Sequence, residues 1–476
     1  MVIDVTDPTE ITRLFEAQKA FQPTLKALGA DHRIARIRAL RKALVDFRPA
    51  IKEAMWADFR KAPESVDKTD ILPAAFEATY VARHVRRWMK PRRAHTPLFL
   101  FGTSSKVHVE PKGTALIMAP WNYPVNLTIG PLIAAVAAGC TAIVKPSEHV
   151  PATARVIRDL VASVFPPEEA VVVEGATDTA THLLSLPFDH IYFTGSPGVG
   201  RLVMKAAAEH LTSVTLELGG KSPTIVDETA DIDHAASVLV FSKFTNCGQT
   251  CVAPDYVYVH AAVFDRLQEA LIERIGRYYG PTAAEREERP EFGRLATVRH
   301  ANRVRALAAD AVAGGATLVH GSTDVGADER FLDATILTDV PADAAVLNEE
   351  IFGPVLPLVR FERLEEVLAD IVRRPKPLAL YIFSRRKDHI RRVIGATSAG
   401  ATVVNDALIH FLNLDLPFGG VGESGMGKGK GHAGFLAFSN ERGVLTQHLR
   451  PPLLSLLYAP YTKWTRRLLD LLLRLF

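Results

Sequence analysis

Cys251, Glu217 and Asn122 are the residues of this sequence whose types and settings could do chemistry on a carbonyl compound. A thiolate at Cys251 would attack an electrophilic carbon, and thiolate character can come from a helix N-terminus or a nearby cation. The residue closes the run Phe241-Ser-Lys-Phe-Thr-Asn-Cys-Gly-Gln-Thr-Cys251. Gly248 breaks a predicted helix there, and a strand is predicted over 252–260. Rigid elements on both sides would fix a nucleophile while the turn leaves it accessible. A lone cysteine is ordinarily packing, so the case rests on its company. Cys247 lies four residues earlier, a spacing that puts both sulfurs on one helical face. Cys140 is the only other cysteine and no histidine adjoins the pair, so no zinc set is expected.

Glu217 stands in Leu216-Glu217-Leu218-Gly219-Gly220-Lys221, at the end of a predicted strand. A carboxylate in an apolar stretch is costly to bury unless used or paired. Partial burial raises its pKa toward the range where it takes protons from water. The plainer alternative is a strand-end glutamate in solvent. Asn122, in Pro120-Trp121-Asn122-Tyr123-Pro124, could donate its amide N–H to an oxyanion. Taken alone it is also what a turn contains.

Phosphate binding has its own candidates. Phe193-Thr194-Gly195-Ser196-Pro197-Gly198-Val199-Gly200 follows a predicted strand and opens a helix, where backbone N–H groups can receive a pyrophosphate. The glycine spacing is not that of the generic dinucleotide fingerprint. Lys145-Pro146-Ser147-Glu148, after another strand, offers a cation and a carboxylate for a ribose and its substituents.

The elements that must position these groups read as α/β. Residues 8–93 are helical in pattern, with 30–59 and 72–89 the strongest stretches. The stretch 83–93 holds six Lys or Arg plus His84, which reads as a solvated face or as a patch for an anionic membrane surface. Residues 97–111 form an extended excursion. From 113 strands and helices alternate: strands at 115–119, 141–145, 170–174, 190–194 and 213–218, helices at 124–139, 151–164, 177–184 and 198–210. A second region puts strands at 224–226, 252–260, 355–361, 379–384 and 401–405. Helices fall at 232–245, 262–279, 298–313, 364–371 and 387–394, and 280–294 is a charged loop. Strands apolar throughout and alternating with helices imply parallel sheets covered on both faces. The stretch 419–431 holds seven glycines and opens with Leu416-Pro417-Phe418, which favours a packed active-site or interdomain loop over a flexible one. No internal repeat is visible.

Composition bounds the function. A chain of 476 residues, 48% hydrophobic, has ample core for more than one domain. A net charge of +3 carries no chain-wide polyanion signal, so no nucleic-acid partner is expected. Three cysteines make no disulfide framework and suggest a reducing compartment. The N-terminus is not a secretory signal, and no run of about 18 apolar residues is present to span a bilayer. These point to the cytoplasm.

Together, Pro120–Pro124, Lys145–Glu148, Phe193–Gly200, Leu216–Pro223, Asn246–Cys251, Glu349–Pro354 and Leu416–Gly420 resemble the aldehyde dehydrogenase superfamily. They occur in the family's order over about 113–439. The short N-terminus, Gly248-Gln249-Thr250 before Cys251, and Pro375-Lys-Pro-Leu-Ala-Leu-Tyr381 are most similar to the class-three branch of fatty and aromatic aldehyde enzymes. The resemblance implies roles. Cys251 would form a thiohemiacetal and then a thioester, which Glu217 would hydrolyse through an activated water. Asn122 and the Cys251 N–H would hold the oxyanion. NAD or NADP would be held by Trp121, Lys145, Ser147, Glu148, Gly195, Ser196, Gly200, Leu218, Glu350 and Phe352. An apolar aldehyde would lie against Tyr80, Tyr123, Thr250, Ile409, Phe411 and Leu412. The implied fold is a Rossmann-like cofactor domain (1–96 and 111–216) and an α/β catalytic domain (217–427). A small bridging sheet (97–110 and 428–452) would join two subunits as a homodimer. Two alternatives are an acyl-transferring relative that releases its thioester to coenzyme A, and a catalytically idle binding protein. Glu217 argues against the first and the trio against the second. Glu423 departs from the Asn or Gln expected before Ser424-Gly425, and the chain after Ser439 fits the family poorly.

The tail, 453–476, ends in a predicted amphipathic helix over 464–476. Arg466, Arg467, Asp470 and Arg474 share one face, with Trp464, five leucines from Leu468 to Leu473, Leu475 and Phe476 around the rest. A helix this short, at about 1.5 Å per residue, cannot cross a core of about 30 Å. It could lie at the inner membrane face, as the tails of class-three fatty aldehyde enzymes suggest, or pack on the enzyme or its dimer partner.

Overall fold

The computed structural model describes residues 6–324 and 326–475, so Phe476 and the first five residues of the expected cofactor domain lie outside it. Its core is two mainly parallel sheets. The six-stranded sheet runs, in spatial order, Gly425–Met426, Ser213–Leu218, His190–Gly195, Thr114–Met118, Thr141–Lys145 and Ala170–Val172. Only the two-residue edge strand is antiparallel. Thr114–Met118 and Thr141–Lys145 are buried at every position, as strands covered by helices on both faces must be. The helix Asn126–Ala138 is likewise almost wholly buried, and Gly139 ends it with φ 86°, a conformation that suits a residue without Cβ.

The seven-stranded sheet is ordered Thr317–His320, Thr335–Thr338, Val355–Phe361, Tyr256–His260, Pro223–Val226, Ala379–Phe383 and Ala401–Val404, antiparallel only at its first pair. A three-stranded antiparallel sheet of Arg92–Ala94, Thr103–Pro111 and Ser439–Gln447 stands apart from both. In it, Ser439–Gln447 pairs with Thr103–Pro111 along nine residues, so the stretch after Phe438 closes a sheet with the extended excursion.

Several local expectations need correction. The strand after Cys251 begins at Tyr256, because Val252-Ala253-Pro254-Asp255 turns instead, with Ala253 N–H donating to Thr250 O at 3.0 Å. Pro254 has no N–H to give a ladder. The helical stretch 30–59 is two helices, Ala30–Asp46 and Arg48–Phe59, the second with Pro49 in its first turn. The charged loop 280–294 contains the helix Ala283–Glu288, capped by Thr282 and tied inward by Arg286, which meets Asp333 at 2.6 and 2.8 Å. The short strands Arg92–Ala94, Thr317–His320 and Thr335–Thr338 were not expected, and the glycine-rich run contributes Gly425–Met426 to a sheet edge. The basic residues of 83–93 are exposed, with Arg86 paired to Asp31 and Arg92 to Glu441 at 2.8 Å, as a solvated face would be. The tail is a helix, Lys463–Leu475.

Candidate active site

The nucleophile's turn is built by an unusual backbone. After the helix Ile232–Phe244, Asn246, Cys247 and Gly248 all take left-handed φ values of 55°, 53° and 71°. A Cβ on Gly248 would lie 2.3 Å from Gly353 O. Gln249 then pins the turn: its amide donates to Asn246 O (2.9 Å) and Arg294 O (3.1 Å) and accepts from Ala296 N–H (2.9 Å). Asn122 donates to Gln249 O at 3.0 Å, and Asn246 donates back to Asn122 O at 2.9 Å. The Asn122 and Cys251 loops are therefore laced together, and the Asn122 amide keeps a second N–H. Cys247 points elsewhere, its thiol donating to Phe292 O at 2.7 Å.

Cys251 is half-buried. Burial pushes its thiol up to about 12, with the carboxyls of Glu350 and Glu217 adding to the rise. The N–H groups of Cys251 and Val252 pull the other way. Among the groups that act most strongly on the sulfur there is neither a cation nor a helix N-terminus. Glu217, in the strand Ser213–Leu218, is buried, and burial raises its carboxyl to about 8 against the pull of Lys428, Tyr192 and Lys430. Its Oε1 accepts from the Tyr192 hydroxyl at 3.3 Å, and its Oε2 has no partner among the described residues. The glycine-rich run is the packed loop expected. Gly425 pairs with Glu217, a Cβ on Gly425 would lie 2.3 Å from Leu216 O, and Lys428 Nζ donates to Gly419 O and to Gly420 O. Glu423 lies on its exposed side, 3.6 Å from Arg201.

Two cavities meet at Thr194, Glu217 and Cys251. The first is a cleft outside the carboxyl ends of Thr114–Met118 and His190–Gly195, where the chain switches from adding strands on one side of Thr114–Met118 to adding them on the other. Open parallel sheets bind ligands at such points. Trp121, Gly195, Ser196, Leu218, Glu350 and Phe352 line it. Ser196 caps the helix Pro197–Ala208 through Val199 N–H at 3.4 Å, leaving a helix N-terminus toward the cleft. Gly200 packs so closely on Leu218 that a Cβ would lie 2.7 Å from it. Glu350 lies over Gly219, where a Cβ would be 2.1 Å from its Oε2. Burial and Asp255 raise its carboxyl to about 8, and its Oε1 has no partner among the described residues. An unpartnered carboxyl oxygen, two aromatic rings and a helix N-terminus along one cleft fit a ribose hydroxyl, a nicotinamide ring and a pyrophosphate. Lys145, Ser147 and Glu148 sit on the neighbouring strand end, Lys145 pairing with Glu148 at 3.3 Å, and do not line the cleft with the rest.

The second cavity is mostly apolar. Tyr123, Thr250, Ile409, Phe411 and Leu412 line it together with Phe241, Leu408 and Phe418. Tyr123 and Thr250 share a hydrogen bond of 2.5 Å. Tyr80 is not among them: its hydroxyl donates to Asp415, and its ring packs on His84 at 4.3 Å and Trp88 at 5.9 Å. Its assignment to the pocket wall is corrected.

His300 and Arg303 line the cleft and escaped sequence reasoning. His300 hydrogen-bonds Phe352 O at 2.8 Å, and Arg303 donates to Glu350 O (3.1 Å) and Ile351 O (2.5 Å). Asp255 accepts from Ile351 N–H at 3.2 Å and pairs with Lys221 at 2.7 Å. The segment carrying Glu350 and Phe352 is thus clamped at four backbone groups. The helix periodicity of 298–313 showed no sign of this, because the partners lie far along the chain.

A profile of the aldehyde dehydrogenase family matches residues 3–444, and the chain belongs to that family. It is 41% identical over 440 residues to the 4,4'-diaponeurosporen-aldehyde dehydrogenase of Staphylococcus aureus, covering 92% of this chain and 94% of that one. It is 38% identical over 461 residues to rat aldehyde dehydrogenase family 3 member B1, covering 96% of each. Its fold superposes on the substrate-bound state of the S. aureus AldH with a TM-score of 0.92, at 40% identity, covering 97% of this chain and 99% of that one.

Proposed function

We propose that this member of the aldehyde dehydrogenase family oxidises an apolar aldehyde to its carboxylic acid, with Cys251 as nucleophile and Glu217 as general base. The observation that carries the reading is that Cys251 and Glu217 stand where the two cavities join, one suited to a dinucleotide and one to an apolar chain. Once its thiol proton has left to solvent, the Cys251 sulfur adds to the aldehyde carbon, and the oxygen that gains charge is met by the Asn122 amide and the Cys251 N–H. A nicotinamide dinucleotide, when bound, accepts the hydride. Trp121, Ser196, Glu350 and Phe352 would hold it, with Lys145, Ser147 and Glu148 nearer its far ribose. The thioester left on Cys251 is opened by a water from which Glu217 takes a proton. The water-activating base favours hydrolysis over acyl transfer to coenzyme A. The family uses NAD or NADP. We read this chain as accepting both, since Glu148 would repel a 2′-phosphate without closing the site to it.

The six-stranded sheet is read as the cofactor domain, the seven-stranded sheet as the catalytic domain, and the three-stranded sheet as the surface that joins a second copy. The test is cofactor reduction with NAD and NADP across straight-chain aldehydes from about four to about ten carbons. Each buried methylene contributes about 0.8 kcal/mol, so kcat/KM should rise along the series. Cys251→Ala should abolish reduction, while Cys247→Ala and Cys140→Ala keep most of it. A Cys251→Ala enzyme that still turned over, or a flat series, would contradict the reading.

A further inference from the structure

We propose that Tyr192 is a positioning residue for Glu217: its hydroxyl anchors one carboxyl oxygen so that the other is the one presented to the Cys251 adduct. This rests on the reading of Glu217 as the base. Tyr192 stands in the strand beside the one that carries Glu217, in register with Thr215, so both side chains share a sheet face. Its ring is stacked on Phe438, with centroids 5.6 Å apart and planes within 7°. From that fixed ring the hydroxyl donates to Glu217 Oε1 at 3.3 Å. Oε2, with no partner among the described residues, is left as the oxygen free to take a proton. The loop opposite makes room for this contact. A Cβ on Gly429 would lie 2.3 Å from the Tyr192 hydroxyl oxygen and 3.2 Å from Glu217 Oε1. Gly429 is not in the left-handed region, so its backbone would admit alanine, and the collision is chiefly with the hydroxyl.

The charged and titratable groups facing Glu217 and Tyr192 are the cations Lys428 and Lys430, the Cys251 thiol, and Glu77, which pairs with Lys430 at 3.2 Å. A hydroxyl donated to a carboxylate favours the ionised form, so Tyr192 acts in the same sense as the two lysines. Removing it takes away one of the groups that favour the ionised carboxylate and leaves Lys428, Lys430 and the Gly429 N–H, so the base must then be reached at higher pH. A tyrosine that merely packs on Phe438 would have no such effect.

The experiment compares wild type with Tyr192→Phe, Gly429→Ala, their double variant and Glu217→Gln. Stopped-flow cofactor reduction with a saturating aldehyde is followed from about pH 6 to about pH 10, spanning the Glu217 range. Tyr192→Phe keeps the stacked ring. It should keep the pre-steady-state burst while the acid limb of the later phase moves up by about 0.5–1 pH unit, a loss of roughly three- to tenfold at pH 7. Gly429→Ala should move the limb the same way alone and much less in the Tyr192→Phe background, where the hydroxyl it would strike is gone. An unmoved or lowered limb in Tyr192→Phe, with Glu217→Gln abolishing the limb, overturns the proposal and leaves Glu217 the base. Loss of the burst in Tyr192→Phe also overturns it, placing the residue in acylation. A Glu217→Gln enzyme with the wild-type limb and rate overturns the base reading, and the role of Tyr192 falls with it.

Discussion

Burial raises the Glu217 carboxyl to about 8, so it gains strength as a base as the pH climbs. The same burial sets a stability cost. The folded value lies above that of a free carboxyl, so the folded state binds the extra proton between the two and loses stability as pH rises through about 8. Glu217→Gln removes that loss. Its melting temperature should match or exceed wild type at pH 8, with the gap closing toward pH 5, while steady-state turnover falls by at least about tenfold. A stopped-flow burst of reduced cofactor should survive, because acylation precedes the step the base serves. No burst with unchanged cofactor binding would place Glu217 in thiol activation instead. At this scale, Cys251, Glu217 and Asn122 were legible because each sits in a short contiguous motif. Tyr192, His300 and Arg303 were not, since inside a strand or a helix nothing local marks a side chain whose partner is distant. Tyr80 was misplaced for the opposite reason: its position was inferred by likeness, and Asp415 holds it outside the cavity.

The turn from Phe244 to Tyr256 is the element on which the site depends. Its left-handed triplet is sustained by Gln249 and Asn246, and at Gly248 by the carbonyl of Gly353, close enough to forbid a Cβ. Gly248→Ala should therefore act twice, through φ 71° and through the collision, destabilising the fold by about 1–3 kcal/mol. Activity should drop further than the folded fraction does, measured by thermal melts beside turnover, because Cys251 and Asn122 move apart together. Loss of stability without excess loss of activity would show that the turn tolerates the shift. The helices and parallel strands were legible from apolar periodicity, which burial on both faces enforces. The turn was not: Val252 and Ala253 read as a strand because they are apolar, and only Pro254 hinted otherwise. Gly425–Met426 was hidden for a related reason, since glycines that must approach a neighbouring backbone carry no hydrophobic pattern.

At the scale of the molecule, two mainly parallel sheets carry the candidate site and a third, antiparallel sheet stands apart from them. The tail adds a question of its own. Thr465 is buried and Leu468 and Leu472 are partly covered, whereas Trp464 is 78% and Leu473 81% exposed. No helix among the described residues is long and apolar enough to cross a membrane. The middle of the apolar face is thus partly covered while its flanks stay open, with Arg466, Arg467 and Arg474 opposite. A chain ending at Tyr461 should leave anionic-vesicle pellets yet keep activity on short aldehydes if the flanks insert in lipid. If the covered face is what matters, the same truncation should lower the melting temperature or the long-chain preference, and vesicle binding should be absent from the start.

The meeting of the two cavities at Thr194, Glu217 and Cys251 also has a kinetic consequence. Two ligands that reach one sulfur through different doors need not queue. The acid product occupies the apolar door alone, so it should compete with the aldehyde and leave the apparent affinity for the oxidised cofactor untouched. The reduced cofactor should show the mirror pattern. Initial-rate inhibition plots with each product against each substrate would read this directly, and crossed competition would mean that the two doors are one.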